Sequence, residues 1–203
     1  VANLLASASA SAKTGAAATI NVSKTSAITE AIVGAGAQLT AQGLVCVQAQ
    51  SEAYLLVATG SAAISATSSA ALALVNVFEF DRTVTAQIHK GAQVASKAGD
   101  VQVLASATDY AFLVGFGGGL ASSTGLAGTV FVVNAHNKVQ ALVGTFADEK
   151  KETGLDAADT NINAEGSVGI ISHLNTTLET VAGALSLSGS GNAIGAVTVV
   201  ETM

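Results

Sequence analysis

Proline and tryptophan are absent from the 203 residues, and Cys46 is the single cysteine. Proline cannot donate into a backbone ladder, so its absence leaves every residue free to join one. One cysteine excludes an internal disulfide framework and a cysteine-rich zinc site. Aromatics make up 4% and charged residues 11% of the chain, the latter against about 25% in ordinary soluble domains. Such a chain lacks the bulky side chains that fill a globular enzyme's interior. The net charge is −6 and only Lys150 and Lys151 are adjacent among the 8 basic residues. A polyanion needs clustered cations facing phosphate, so no nucleic-acid partner is expected. No basic stretch followed by an apolar run opens the chain, and no signal peptide is expected within it.

What remains is rich in alanine, valine and leucine, with 21 glycines. The runs 55–78, 110–133 and 180–200 hold no charge, and 110–133 is long enough to cross a membrane as a helix. Yet their centres, VATGSAAISATSSAAL, VGFGGGLASSTGLAG and LSLSGSGNAIGA, are rich in Gly and Ser. Such centres read as strand, small-residue turn, strand, so no membrane-spanning segment is expected.

The chain repeats itself. GAQLTAQGLVCVQAQ (36–50) returns as GAQVASKAGDVQVLA (91–105). Three further landmarks keep the same order. A valine-rich strand near an asparagine occurs as ATINV, ALVNV and VFVVN, with Asn21, Asn76 and Asn134 almost evenly spaced, and IGAVTVV begins a fourth. TEAIV, VTAQI and VQALV follow, then Gly43-Leu-Val-Cys-Val, Gly99-Asp-Val-Gln-Val and Gly166-Ser-Val-Gly-Ile. Tyr54 and Tyr110 keep step with the first two of these, and each copy then enters its uncharged run. Self-similarity of this kind marks a repeat architecture, here about three copies of a unit roughly 55–60 residues long. The third copy is lengthened by a polar insertion at positions 146–161. The first fifteen residues match the end of a copy and the last dozen match the start of one. Neither end carries the polar cap a solenoid needs, which implies a longer array or end-to-end stacking of copies.

The local period is two, as in VQVLASATDYAFLV, and marks half-buried strands. Val45, Val101 and Val168 coincide in the copies, as do Val47, Val103 and Ile170, and these point inward. Cys46, Gln102 and Gly169 between them point outward, as do Leu44, Asp100 and Ser167. The fold expected is all-β: a right-handed parallel β-helix, or β-solenoid, forming one segment over residues 1–203. Dividing each repeat into three turns gives about ten coils and a rod roughly 50 Å long at about 4.8 Å per coil. A β-sandwich would need tight hairpins such as Asn-Gly, which are missing. A helical array conflicts with the valine alternation.

The series GAAATINVSKTSAITEAIVGAGAQLTAQGLVCVQAQS (15–51) resembles the repeats of large bacterial exoproteins and adhesins. These are the filamentous-haemagglutinin-like and leukotoxin-like passengers of autotransporter or two-partner secretion. Their repeats similarly run from a Gly/Ala-rich strand to Asn, then Thr-x-Ala-x-Ile-Gly-x-Gly-Ala, then Gly-x-Val-x-Val-x-Ala. The middle phrase here spans Thr29 to Ala37. The resemblance implies a right-handed parallel β-helix outside the cell or at the bacterial surface, and it carries over no functional residue. No secretion domain or membrane barrel is recognisable.

No motif announces catalysis. His89, His136 and His173 fall at unrelated places in the repeat, without the His-x-x-x-His spacing of a zinc hydrolase, and read as solvated loop residues. In the insertion, Asp156, Asp159, Asn161 and Asn163 put oxygens at short spacing, the chemistry calcium prefers. Ala164 stands where a calcium loop needs glycine, and the plainer reading is a solvated bulge entering a strand. Gly115 to Gly119 and Gly189 to Gly195 match no nucleotide-binding pattern and read as turns. No cofactor and no catalytic residue are expected. The expected function is a non-enzymatic structural or adhesive segment of a secreted or cell-surface bacterial fibre, contacting a host or cell-surface glycan or protein. The alternative is a self-assembling extracellular filament subunit stacking head to tail. A polysaccharide-active β-helix enzyme, with acids on adjacent coils, is a third reading.

Overall fold

The computed structural model describes residues 2–11, 13–145 and 159–202. Among them are eleven strands and no helix: β1 (Ala2–Ser11), β2 (Thr14–Val33), β3 (Gln38–Ala41), β4 (Val45–Ser65), β5 (Ser69–His89), β6 (Gln93–Ser96), β7 (Val101–Ala121), β8 (Thr124–Thr145), β9 (Asn161–Ala164), β10 (Val168–Ser188) and β11 (Ala193–Thr202). They form three sheets, here A, B and C, in the orders β1-β4-β7-β10, β2-β5-β8-β11 and β3-β6-β9. Every pairing is parallel. The chain therefore runs along sheet A, returns along sheet B, crosses the short sheet C and re-enters sheet A one rung higher. This is the all-β, parallel, stacked architecture of a β-solenoid, with no hairpin pairing among the described strands. No helix of the described residues is long and apolar enough to cross a membrane.

The expected ten coils are not there. Ala2 pairs with Leu56, Thr14 with Ser69 and Val45 with Val101, so each residue meets its counterpart one whole repeat along the chain. One sequence repeat is one coil rather than three, and the sheets hold four, four and three rungs. The step from Val101 to Val168, or from Gly125 to Ala193, is longer because the insertion lengthens that coil. The cause of the difference is strand length. β4, β5, β7 and β10 each run for 21 residues, with burial alternating along all of β4 and most of β7, and a period of two does not reveal where a strand stops. At about 3.3 Å per residue these strands are roughly 70 Å long, while four rungs about 4.8 Å apart stand under about 20 Å high. The molecule is a blade instead of a rod.

Register confirms most of the landmark alignment. Val45, Val101 and Val168 share one column, Val47, Val103 and Ile170 the next, and Tyr54 pairs with Tyr110. Thr29, Val84 and Val139 also align, as do Ala31, Ala86 and Ala141. Cys46 is exposed, as its parity requires. The asparagine landmark holds only for two copies. Asn21 pairs with Asn76, but the third rung of that column is Phe131, and Asn134 lies beside Glu79.

The core is one layer between sheets A and B, closed at the base by sheet C, in three blocks. At the base, Val45, Val47, Val101 and Val103 meet Val84, Ile88 and Val94. In the middle, Leu55, Val57 and Leu113 meet Phe78, Phe131 and Val133. Toward the tip the contacts shrink to Ala63, Ala70, Leu72 and Ala127. Small residues thus dominate the core at the tip. Phe78 and Phe131 stack with ring centroids 6.2 Å apart. The ring of Phe131 explains Gly115, because a Cβ at that residue would lie 2.5 Å from it. Gly115 to Gly119 therefore sit inside β7 and are not the turn expected of them; the tip turn comes after Ala121, between β7 and β8.

The repeated Gly-Ala-Gln phrase makes a corner. Ala37 N–H donates to the Gly34 carbonyl and Ala92 N–H to the His89 carbonyl, both at 3.2 Å. The third residue of each turn, Gly36 or Gly91, has φ of 70° or 80°, while no described non-glycine residue has positive φ. A positive φ at the third position alone defines a type II turn, which favours glycine there. At the other end of the solenoid, Val168 and Ile170 are 49% and 50% exposed despite inward parity. β11 covers only the tip half of β10, so these side chains have no sheet opposite them.

Candidate functional site: a buried ion pair between the sheets

Between the base and middle blocks the core turns polar. Arg82 of β5 and Asp109 of β7 both point inward by the alternation of their strands, from opposite sheets. Their side chains are only 8% and 17% exposed, and the guanidinium pairs with the carboxylate. Neighbouring rungs make room for them: Arg82 lies between Ala27 and Asn137, and Asp109 between Ala53 and Thr176. Asn137 Nδ2–H donates to Thr176 Oγ1 at 3.1 Å, and the Asn137 side chain also bonds Asp109. One polar cross-brace thus links the two sheets from the second coil (Arg82) through the third (Asp109, Asn137) to the fourth (Thr176).

Burial pushes the Asp109 carboxyl above the usual carboxylate range, and outweighs the opposing pull of the Arg82 charge and the hydrogen bonds from Arg82 and Asn137. Desolvation of a carboxylate favours its neutral form, whereas a cation beside it favours the charged form. Around the pair is a cavity of about 250 Å³, lined also by Thr25, Phe80, Leu55 and Leu178. It has polar groups and space enough for ordered water. Near it, Tyr110 O–H donates to Glu179 Oε2 at 3.2 Å. Burial, then the Glu179 bond and charge, raise the Tyr110 phenol.

The chemistry of this arrangement is holding. An ion pair with each partner on a different sheet resists sliding of one sheet over the other, because a shift by one residue would bury a lone charge. The residues singled out from sequence lie elsewhere. Asp156 lies outside the described residues. Asp159 is exposed, and Asn161 and Asn163 lie on the outward side of β9 with Ile162 turned inward. Those two asparagines thus stand on an extended strand beside Gln93 and Ala95. Among the described residues no three His, Cys, Asp or Glu side chains group closely enough to hold a metal. The histidines are strand residues and not loop ones. His89 is buried, with its Nε2 2.7 Å from Gln87 Nε2. His136 pairs in register with Asp81, and His173 with Ser106.

Sequence reading missed the ion pair. The usable signal was parity: Asp109 shares that of Val101 and Val103, and Arg82 that of Val84 and Ile88. Comparisons with family models, curated proteins and solved structures find no match to this chain.

Proposed function

We propose that the chain is a structural and adhesive segment of a secreted or cell-surface bacterial fibre, without enzymatic activity. Its parallel coils wind right-handed, the hand that governs nearly all parallel crossovers. The observation that carries this reading is the ladder: every rung of sheets A, B and C bonds the equivalent residues of the next repeat. Such a body lengthens by adding coils, and its stacked ladders make a stiff frame for display. The resemblance to exoprotein repeats supports a place outside the cell and a host or cell-surface glycan or protein as ligand. Protease added to intact producing cells tests the location: cleavage of the chain without lysis is expected, and cleavage only after lysis refutes it.

A second reading, head-to-tail stacking into a filament, is favoured by the two end rungs. β2 and β11 are the opposite edges of sheet B, and both carry unpaired backbone groups along the tip half. Edges of this kind template further pairing. Electron microscopy with light scattering separates the two readings. Discrete particles at all concentrations support the isolated segment, and fibres that grow with concentration support the filament.

A further inference from the structure

Charge is confined to one half of the blade. Residues 3–11, 57–65, 113–121 and 180–188 of sheet A and 15–22, 70–77, 125–132 and 193–200 of sheet B, in register across the rungs, make up the tip half; none is Lys, Arg, Asp or Glu, and Glu179 and Glu201 stand in the adjoining columns. Lys13, in a tip turn, is the exception among the described residues. The outer face of sheet A in this half presents Phe116, Leu120 and Leu185 at 55%, 42% and 60% exposure. Nine residues by four rungs give roughly 30 by 19 Å, on the order of 570 Å² in projection. That reaches the upper end of the largest patch on ordinary monomers, about 300–600 Å². It approaches the about 800 Å² per partner of a stable interface.

The relief of this face is specific. A groove of about 710 Å³ runs beside Phe116, with Ala6, Gly60, Ala62 and Gly118 along it. Neither Gly60 nor Gly118 has positive φ, and a Cβ at either meets nothing within 4 Å. The fold of one chain therefore gives no reason for glycine at these two strand positions, where it weakens the strand. Glycine in a strand interior often marks a close approach by another backbone or ligand. By contrast Gly183 is explained internally: the Phe116 ring lies across it, 2.5 Å from where a Cβ would stand. A projecting ring and a shallow trough thus lie side by side on one face.

We infer that this face docks against the same face of a second copy. A two-fold axis would bring each Phe116 to the other's Gly60–Gly118 trough, with the sheets about 10 Å apart. Area, absence of charge and paired relief all fit this occupant. A bilayer fits less well, because the edge strands β1 and β10 would leave backbone groups unbonded in hydrocarbon. The pairing is lateral and distinct from end-to-end stacking, since it uses side chains of a sheet face and no strand edge.

Sedimentation velocity of the full chain over a concentration series tests it. A two-copy species is expected. Its dissociation constant should rise at least tenfold in Phe116→Glu and, from the other side of the contact, in Gly118→Glu. Gly118→Glu adds a side chain into open space, so the monomer keeps its fold, checked by an unchanged denaturation midpoint. Val130→Glu, on the outer face of sheet B, should leave the pairing intact. A chain that stays monomeric, pairing that survives both face-A substitutions, or flotation with neutral phosphatidylcholine vesicles overturns the inference. So do fibres that persist in Gly118→Glu with no two-copy species in the unaltered chain, since end stacking alone would then account for assembly.

Discussion

The Arg82–Asp109 pair permits a sharp test because its two halves fail differently. Asp109→Ala leaves a guanidinium that cannot lose its proton, in a site where the arginine side chain is 8% exposed. Stripping one partner from a buried pair costs about 3–5 kcal/mol, and that loss is expected in urea unfolding followed by circular dichroism. Arg82→Met leaves a carboxyl that burial already holds above its ordinary range. It escapes by protonation, so this variant should be hurt less at low pH than at neutral pH. The direction follows from linkage. A raised folded pKa means the folded chain holds the proton more tightly than the unfolded one. Stability therefore declines as pH rises from the ordinary carboxylate value through the raised one. Without Arg82 the raise is larger and the decline extends further upward. The double variant Arg82→Met with Asp109→Leu removes both charges and should recover most of the loss, since apolar replacement of a buried pair is often neutral or stabilising. Equal loss in both single variants with no pH dependence, or a double variant as weak as Asp109→Ala, would refute the buried cross-brace.

Four further outcomes are expected. Gly91→Ala forces a side chain into φ of 80° and should cost about 1–2 kcal/mol, while Gly43→Ala, with open space around it, should leave the urea midpoint unchanged. Gly115→Ala drives a methyl into Phe131 and should cost about 1–3 kcal/mol by overpacking; Phe131→Leu in the same chain should restore part of it, as a double-mutant cycle would show. Asn76 is fully buried, and its amide oxygen and nitrogen have no partner, so Asn76→Leu should raise stability by about 1–3 kcal/mol in urea unfolding. Cys46 is exposed and should react with a maleimide in the folded chain as quickly as in urea; protection until unfolding would mean that the register of β4 is off by one.

Much of the fold is legible because parity and repetition are local properties that stacking preserves. Aligning Val45 with Val101 and Val168 already names rung partners, inward faces and the exposed side of Cys46. The same reading divides each repeat into three turns, because alternating residues look alike in one long strand or several short ones. Glycines mislead in the same way. Gly115 serves the ring of Phe131 across the layer, a purpose invisible within its own strand, whereas Gly36 and Gly91 do mark a turn. Arg82 and Asp109 each show the right parity, yet they belong to different strands of different sheets, and no spacing along the chain reports that they meet.

The amino-acid sequence alone determined that this chain is β, that it is built of successive like units, and which side chains face inward. Those follow from the alternation along each strand and from copies that must bury like residues. Only the tertiary structure decided that one repeat makes one coil, that the coil is a narrow blade, and that two lone charges brace its core. These depend on where a strand bends and on what lies about 10 Å across the layer, and neither is written in the order of neighbours.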